Sequence, residues 1–69
     1  MELRKIHKQF HEVLFNYINS RVHNRDDASD ILQEVFIKVS MKIEGLKDQQ
    51  KLKSWIFSIT RNAIIDHSA

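Results

Sequence analysis

Asp30-Ile31-Leu32-Gln33-Glu34-Val35-Phe36-Ile37-Lys38-Val39-Ser40-Met41-Lys42-Ile43 reads as one helix carrying two stripes. At about 100° per residue, Ala28, Ile31, Leu32, Val35, Phe36, Val39 and Ile43 share a broad apolar face, spaced by three and four. Asp30, Gln33, Glu34, Ile37 and Met41 fall opposite. A solvated face should carry flexible charges, whereas this one mixes two carboxylates and an amide with two apolar side chains. Two readings follow. Either the second stripe is a surface for a partner, or Ile37 and Met41 pack under a loop or a third helix while Asp30 and Glu34 are simply solvated.

Upstream, a first helix is predicted from Leu3 to Val22. Its buried stripe would be Leu3, Ile6, Phe10, Val13, Leu14 and Tyr17, with Arg21 continuing the line as a snorkelling end. His23-Asn24-Arg25 breaks the pattern. Asn24 or Asp26 can cap the next helix, and Asp26, Asp27 and Asp30 crowd its first turns, where the helix dipole favours carboxylates. That helix is expected to reach about Glu44, with Lys38 and Lys42 suiting its C-terminal half and Gly45 as a left-handed cap.

Downstream, Leu46-Lys47-Asp48-Gln49-Gln50-Lys51-Leu52-Lys53 is polar and basic, either a loop or a loop holding a helical turn. A third helix is predicted from near Ser54 to the end. Trp55, Ile56, Ile59 and Ala63, with Leu52 just before, form its inner stripe; Ser58, Arg61 and Ile65 point away, and Asn62 and Asp66 lie on one flank. Helices joined by short connections imply an all-α fold, a compact three-helix bundle with antiparallel-type packing.

Composition agrees. A chain of 69 residues supports a single small domain. It has no cysteine to form a disulfide or a cysteine-based zinc site, no proline, and one glycine, too few turn residues for a strand-rich fold. Nothing resembles a signal peptide, and no apolar run approaches the roughly 18 residues of a membrane span. A soluble, cytoplasmic module without membrane contact is the expectation. The net charge of +2 is unevenly spread: residues 1–25 carry five basic and two acidic side chains, residues 26–46 two basic and five acidic, residues 47–69 four basic and two acidic. An acidic middle between basic ends suits two surfaces for two kinds of partner, and ordinary scatter in a small helical protein is the plain alternative.

Catalytic chemistry finds no footing. His7 and His11 have the spacing of a helical metal pair, but Glu12 does not complete the arrangement of a zinc protease and no third ligand stands at useful spacing. Solvated histidines on a basic helix account for them. No nucleophilic triad, glycine-rich phosphate loop or catalytic carboxylate pair can be assembled, so neither enzymatic activity, a metal nor a cofactor is expected.

The stretch from residue 47 to 62 holds the other constellation. Lys47, Lys51, Lys53 and Arg61 are cationic, and Gln49, Gln50, Ser54 and Asn62 can hydrogen-bond bases or phosphates. Such groups interleaved with an aromatic suit single-stranded nucleic acid. The single tryptophan, Trp55, lies on the inner stripe, which favours a core anchor over a stacking platform. Asn62, beside it, should have either a structural or a ligand partner.

Asp30 through Lys38 reads D-x-x-Q-E-x-F-x-K, and Trp55 through Asp66 reads W-x-x-x-I-x-R-N-x-x-x-D. The two motifs, in this order and about twenty residues apart, closely resemble the second conserved region of bacterial RNA polymerase sigma factors, within the extracytoplasmic-function (ECF) group. The resemblance covers essentially the whole chain. It implies a transcription initiation factor domain that binds core RNA polymerase and recognises and holds the minus-ten promoter element. Asp30, Gln33 and Glu34 would dock on a coiled coil of the polymerase's largest subunit. Helix angles add Ile37 and Met41 to the same face. Lys47, Asp48, Gln49, Gln50, Lys51, Lys53 and Ser54 would form the loop that captures an unstacked base of the non-template strand, with Arg61 and Asn62 facing DNA. Trp55 and Asp66 match positions that mainly hold the domain together. An anti-sigma factor is a further partner implied by the resemblance.

Some positions depart from the pattern. Leu52 stands where an aromatic is frequent, and Ser58 where a basic residue is frequent. The linker and second helix-turn-helix domain, which would read the minus-thirty-five element, are missing after His67-Ser68-Ala69. An isolated domain or fragment is therefore the expectation, binding promoter DNA weakly or not at all by itself. The competing readings are a sigma-like protein-interaction module without DNA binding, and a small metal-binding helical protein using His7 and His11.

Overall fold

The computed structural model describes residues 2–68. Three helices, α1 (Leu3–Val22), α2 (Arg25–Lys42) and α3 (Leu52–Ser68), form a bundle of 33 × 23 × 17 Å. The helix predicted to continue to the end is followed to residue 68; Ala69 lies outside the described residues. Helix α2 is the central element, packed against both others, and α1 meets α3 over a smaller area.

The core follows from the stripes. Ile6, Phe10, Leu14 and Ile18 of α1 close on Ala28, Ile31, Leu32, Val35 and Val39 of α2, with Ile56 and Ala63 from α3. The α2 stripe is as expected, with Phe36 and Ile43 half-buried at its edges. The α1 stripe differs. Leu3 and Val13 are exposed, Tyr17 is half-buried, and Ile18 is fully buried instead. The buried residues Ile6, Phe10, Leu14 and Ile18 recur every fourth position, the row suited to packing on α2, which α1 meets more extensively than α3, and Val13 lies off that row. Arg21 is exposed, and its guanidinium carbon sits 4.8 Å from the centroid of the Tyr17 ring.

Chain reversals are set by local hydrogen bonds. His23 adopts the left-handed conformation at φ 55°, and its N–H donates to the Asn19 carbonyl at 2.9 Å, ending α1. Asn24 is the cap of α2: its Oδ1 accepts from the Asp27 N–H at 3.1 Å, with Asp26 and Asp27 in the first turn. At the other end, the expected left-handed cap at Gly45 is absent, and the helix stops at Lys42. The chain tightens into a 3-10 turn, Ile43–Gly45, and Gly45 has no positive φ. The Leu46 N–H donates to the Ile43 carbonyl at 3.0 Å, so the tightened turn satisfies an end carbonyl without a left-handed residue.

The second connection contains a helical turn, a 3-10 turn at Gln49–Lys51. Asp48 starts it, accepting from the Gln50 N–H at 2.9 Å through Oδ1 and from the Lys51 N–H at 3.0 Å through its carbonyl. This turn runs straight into α3, which therefore begins at Leu52 rather than near Ser54. Ile56, Thr60 and Ala63 are the buried line of α3, while Leu52, Trp55 and Ile59 are half-buried. Thr60 lies outside the predicted stripe. Its hydroxyl donates to the Ile56 carbonyl at 2.8 Å, which allows a polar side chain in the core.

Candidate functional site

Asp30, Gln33, Glu34, Ile37 and Met41 are all exposed along the outer side of α2. Ile37 is 54% and Met41 75% exposed, so neither packs under the loop or under α3. The ion pairs among the described residues are Lys38–Asp66 and His67–Asp27, leaving Asp30 and Glu34 uncommitted as acceptors. Gln33 lies at the rim of a groove between α1 and α2, lined also by His7, His11, Phe15, Arg25 and Phe36. The face is thus an acidic line with an apolar continuation, carried on the most heavily packed helix of the bundle.

The expected nucleic-acid residues, Lys47, Asp48, Gln49, Gln50, Lys51, Lys53, Ser54, Arg61 and Asn62, are likewise exposed. Most of them line several shallow hollows. Lys51 and Ser54 share a shallow hollow with Leu46, Ser58 and the half-buried Trp55. Lys47 and Gln49 line an adjoining hollow with Glu44 and Leu3, and Leu46 borders both. Asp48 serves the backbone of its own turn. Arg61 and Asn62, adjacent in sequence, serve opposite flanks of α3. Asn62 shares a groove with Lys38, Lys42 and Asp66, whereas Arg61 shares one with Tyr17 and Arg21. Asn62 is exposed rather than held against Trp55. Asp66 meets Lys38 at 3.8 Å, an exposed pair that contributes little to stability.

Three cations near α3 escape a reading of the sequence alone: Lys38, Lys42 and Arg21. The lysines look like ordinary C-terminal helix residues, and Arg21 lies far along the chain from Arg61. Only the packing of α3 against the other helices brings them together. His7 and His11 lie 5.0 Å apart between ring centroids, and the His7 ring stacks 4.3 Å from that of Phe36, a packing role. No cluster of three or more metal-ligating side chains occurs among the described residues. No described helix is long and apolar enough to cross a membrane.

The model of the sigma-70 region 2 family matches residues 6–69. The chain belongs to the sigma-70 region 2 family. Similar curated proteins include the RNA polymerase sigma factor SigZ of Bacillus subtilis (strain 168), 44% identical over 96% of this chain and 38% of its own length. A probable RNA polymerase sigma factor of Haemophilus influenzae (strain ATCC 51907 / DSM 11121 / KW20 / Rd) is 33% identical over 97% of the chain and 32% of its own length. The ECF RNA polymerase sigma factor SigM of Bacillus subtilis (strain 168) is 30% identical over 97% of the chain and 40% of its own length. The sigma-70 region 2 chain therefore spans only about a third to two-fifths of these relatives. No solved structure matches it. Within this region 2 domain, α2 carries the Asp30–Glu34 acceptors and, through Lys38 and Lys42, also borders the groove that holds Asn62 of α3.

Proposed function

We propose that this sigma-70 region 2 domain works in transcription initiation by holding core RNA polymerase with α2 and single-stranded minus-ten promoter DNA with the residue 47–54 loop and α3. The observation that carries the reading is the exposed line Asp30, Gln33, Glu34, Ile37, Met41 on a capped helix whose other face is buried. Carboxylate and amide acceptors suit a basic helical partner, and Ile37 with Met41 adds apolar area that a coiled coil can cover. The relatives' designation as RNA polymerase sigma factors supports the same partner. Such work belongs in the bacterial cytoplasm, without membrane, cofactor or catalysis. A regulator of the anti-sigma kind would compete for the same surfaces.

For DNA, opening a base out of the stack costs a few kcal/mol. The hollow beside Trp55, with Lys51 and Ser54 at its rim, supplies an apolar wall and polar contacts that offset part of that cost. Asn62 supports base preference from the α2 side of α3, and the loop lysines attract phosphates.

Two measurements test the reading. Replacing Gln33 and Glu34 with Ala should weaken binding to the coiled coil of the polymerase largest subunit at least tenfold while the helical signal is unchanged. Persisting affinity overturns the polymerase assignment. With promoter variants, Asn62→Ala should relax base preference, whereas Lys51→Ala should weaken all sequences alike. Identical behaviour ends that division of roles. No binding to a single-stranded minus-ten oligonucleotide at low salt, even with polymerase present, leaves a protein-interaction module instead.

A further inference from the structure

A groove between α1 and α3 is lined by Tyr17, Arg21, Arg61, Ile64 and Ile65, with no carboxylate among them. Arg21 rests on the Tyr17 ring at 4.8 Å, and that ring stands edge-on to Phe57 at 5.4 Å and 87°. A guanidinium laid on a wedged aromatic ring has less rotamer freedom left to lose on binding than a free surface lysine. Arg61 enters from the opposite wall. Neither arginine takes part in the ion pairs of the described residues, Lys38–Asp66 and His67–Asp27. Two guanidiniums facing one groove without an internal counter-charge are matched by an anion with paired oxygens, as in a phosphodiester.

We propose that Arg21 and Arg61 form a phosphodiester clamp that carries a polynucleotide backbone from α3 onto α1. The inference rests on the proposed DNA binding and adds to it a residue from a helix that the loop and α3 do not include. An extended polyanion fits better than a single acidic side chain. Cations stand on both flanks of α3: Arg21 with Arg61 on one side, and on the other Lys42 with Lys38, the latter paired to Asp66 at 3.8 Å. The two helices that build the groove also come from the basic ends of the chain.

The test is fluorescence anisotropy of the 69-residue chain with labelled single-stranded oligonucleotides of several sequences, repeated across sodium chloride concentrations. Arg21→Ala should weaken every sequence, about five- to tenfold near 50 mM salt, and lower the slope of log affinity against log salt by about 0.7. Arg21→Lys should keep the slope and lose part of the affinity. Tyr17→Leu, which removes the ring but no charge, should do the same. Melting curves exclude a folding effect, and Arg21→Gln replaces Arg21→Ala if the latter fails to fold. An unchanged slope in Arg21→Ala, with a lowered slope in Lys51→Ala, overturns the clamp and leaves the loop reading standing. Absence of binding by the wild-type chain at low salt, even when it is assembled with core polymerase, overturns both. Inorganic phosphate added at constant ionic strength should compete no better than chloride. Competition that disappears in Arg21→Ala identifies a site for free anions and overturns the backbone assignment. Polyglutamate binding that needs Arg21, with DNA binding unaffected by its loss, overturns it in favour of an acidic protein contact.

Discussion

At the scale of single residues, the two helix-ending positions behave oppositely to their residue types. His23 holds the left-handed conformation that favours glycine, while Gly45 sits in a 3-10 turn with no positive φ. A methyl group on Gly45 would point into open space, with nothing within 4 Å. His23→Gly should therefore stabilise the domain by about 1 kcal/mol. Gly45→Ala should stabilise it by about 0.4–1 kcal/mol by restricting the unfolded chain. In a domain of this size each kcal/mol moves the thermal midpoint by about 4–8 °C, well within reach of a melting experiment. A lowered midpoint for Gly45→Ala would mean that the turn needs a left-handed glycine after all. Thr60 is a milder case. Its buried hydroxyl bonds only the Ile56 carbonyl of its own helix, so Thr60→Val should stay within about 1 kcal/mol of wild type. A larger loss would show that the hydroxyl has a second partner.

At the scale of elements, α2 tests whether a helix can be read on both faces. Its inner line includes Val35, fully buried, and its outer line includes Ile37 and Met41, both open to solvent. Ile37→Glu and Met41→Glu should change stability by no more than about 0.5 kcal/mol while weakening the polymerase coiled coil. Val35→Glu should unfold the chain, because it places an unpaired carboxylate in the core. Urea titration with a parallel binding assay separates the two classes. Loss of stability at Met41 would place it in packing and sink the interface reading. The periodicity of α2 and the His23-Asn24 break are legible in the sequence because they depend on neighbours three or four residues away. The rotation of α1 that buries Ile18 in place of Val13 is not, since it depends on where α2 lies. The turn of about 100° between successive helix residues already separates Arg61 from Asn62 in the sequence, but which neighbouring helix each one meets depends on the bundle. The pairing of Arg21 with Arg61 arises only when α1 and α3 meet.

For the whole molecule, smallness sets the energetics. A domain of 69 residues has a stability on the order of 3–10 kcal/mol. Leu14 is fully buried on α1, away from the proposed polymerase face, and Leu14→Ala should cost about 2–5 kcal/mol. That is enough to leave a large unfolded fraction at physiological temperature. A partner that binds only the folded bundle opposes the loss, by about 2.7 kcal/mol when present at 100 times its dissociation constant. The polymerase coiled coil should therefore restore the helical signal of Leu14→Ala and raise the midpoint of the wild-type chain. It should restore neither in a chain that also carries Ala at positions 33 and 34. Circular dichroism melts at a fixed excess of coiled coil measure both effects. A coiled coil that binds but leaves the midpoint unmoved must hold the unfolded chain equally well. In that case α2 is not recognised as a preformed face, because its acceptors and apolar line are aligned only in the folded helix.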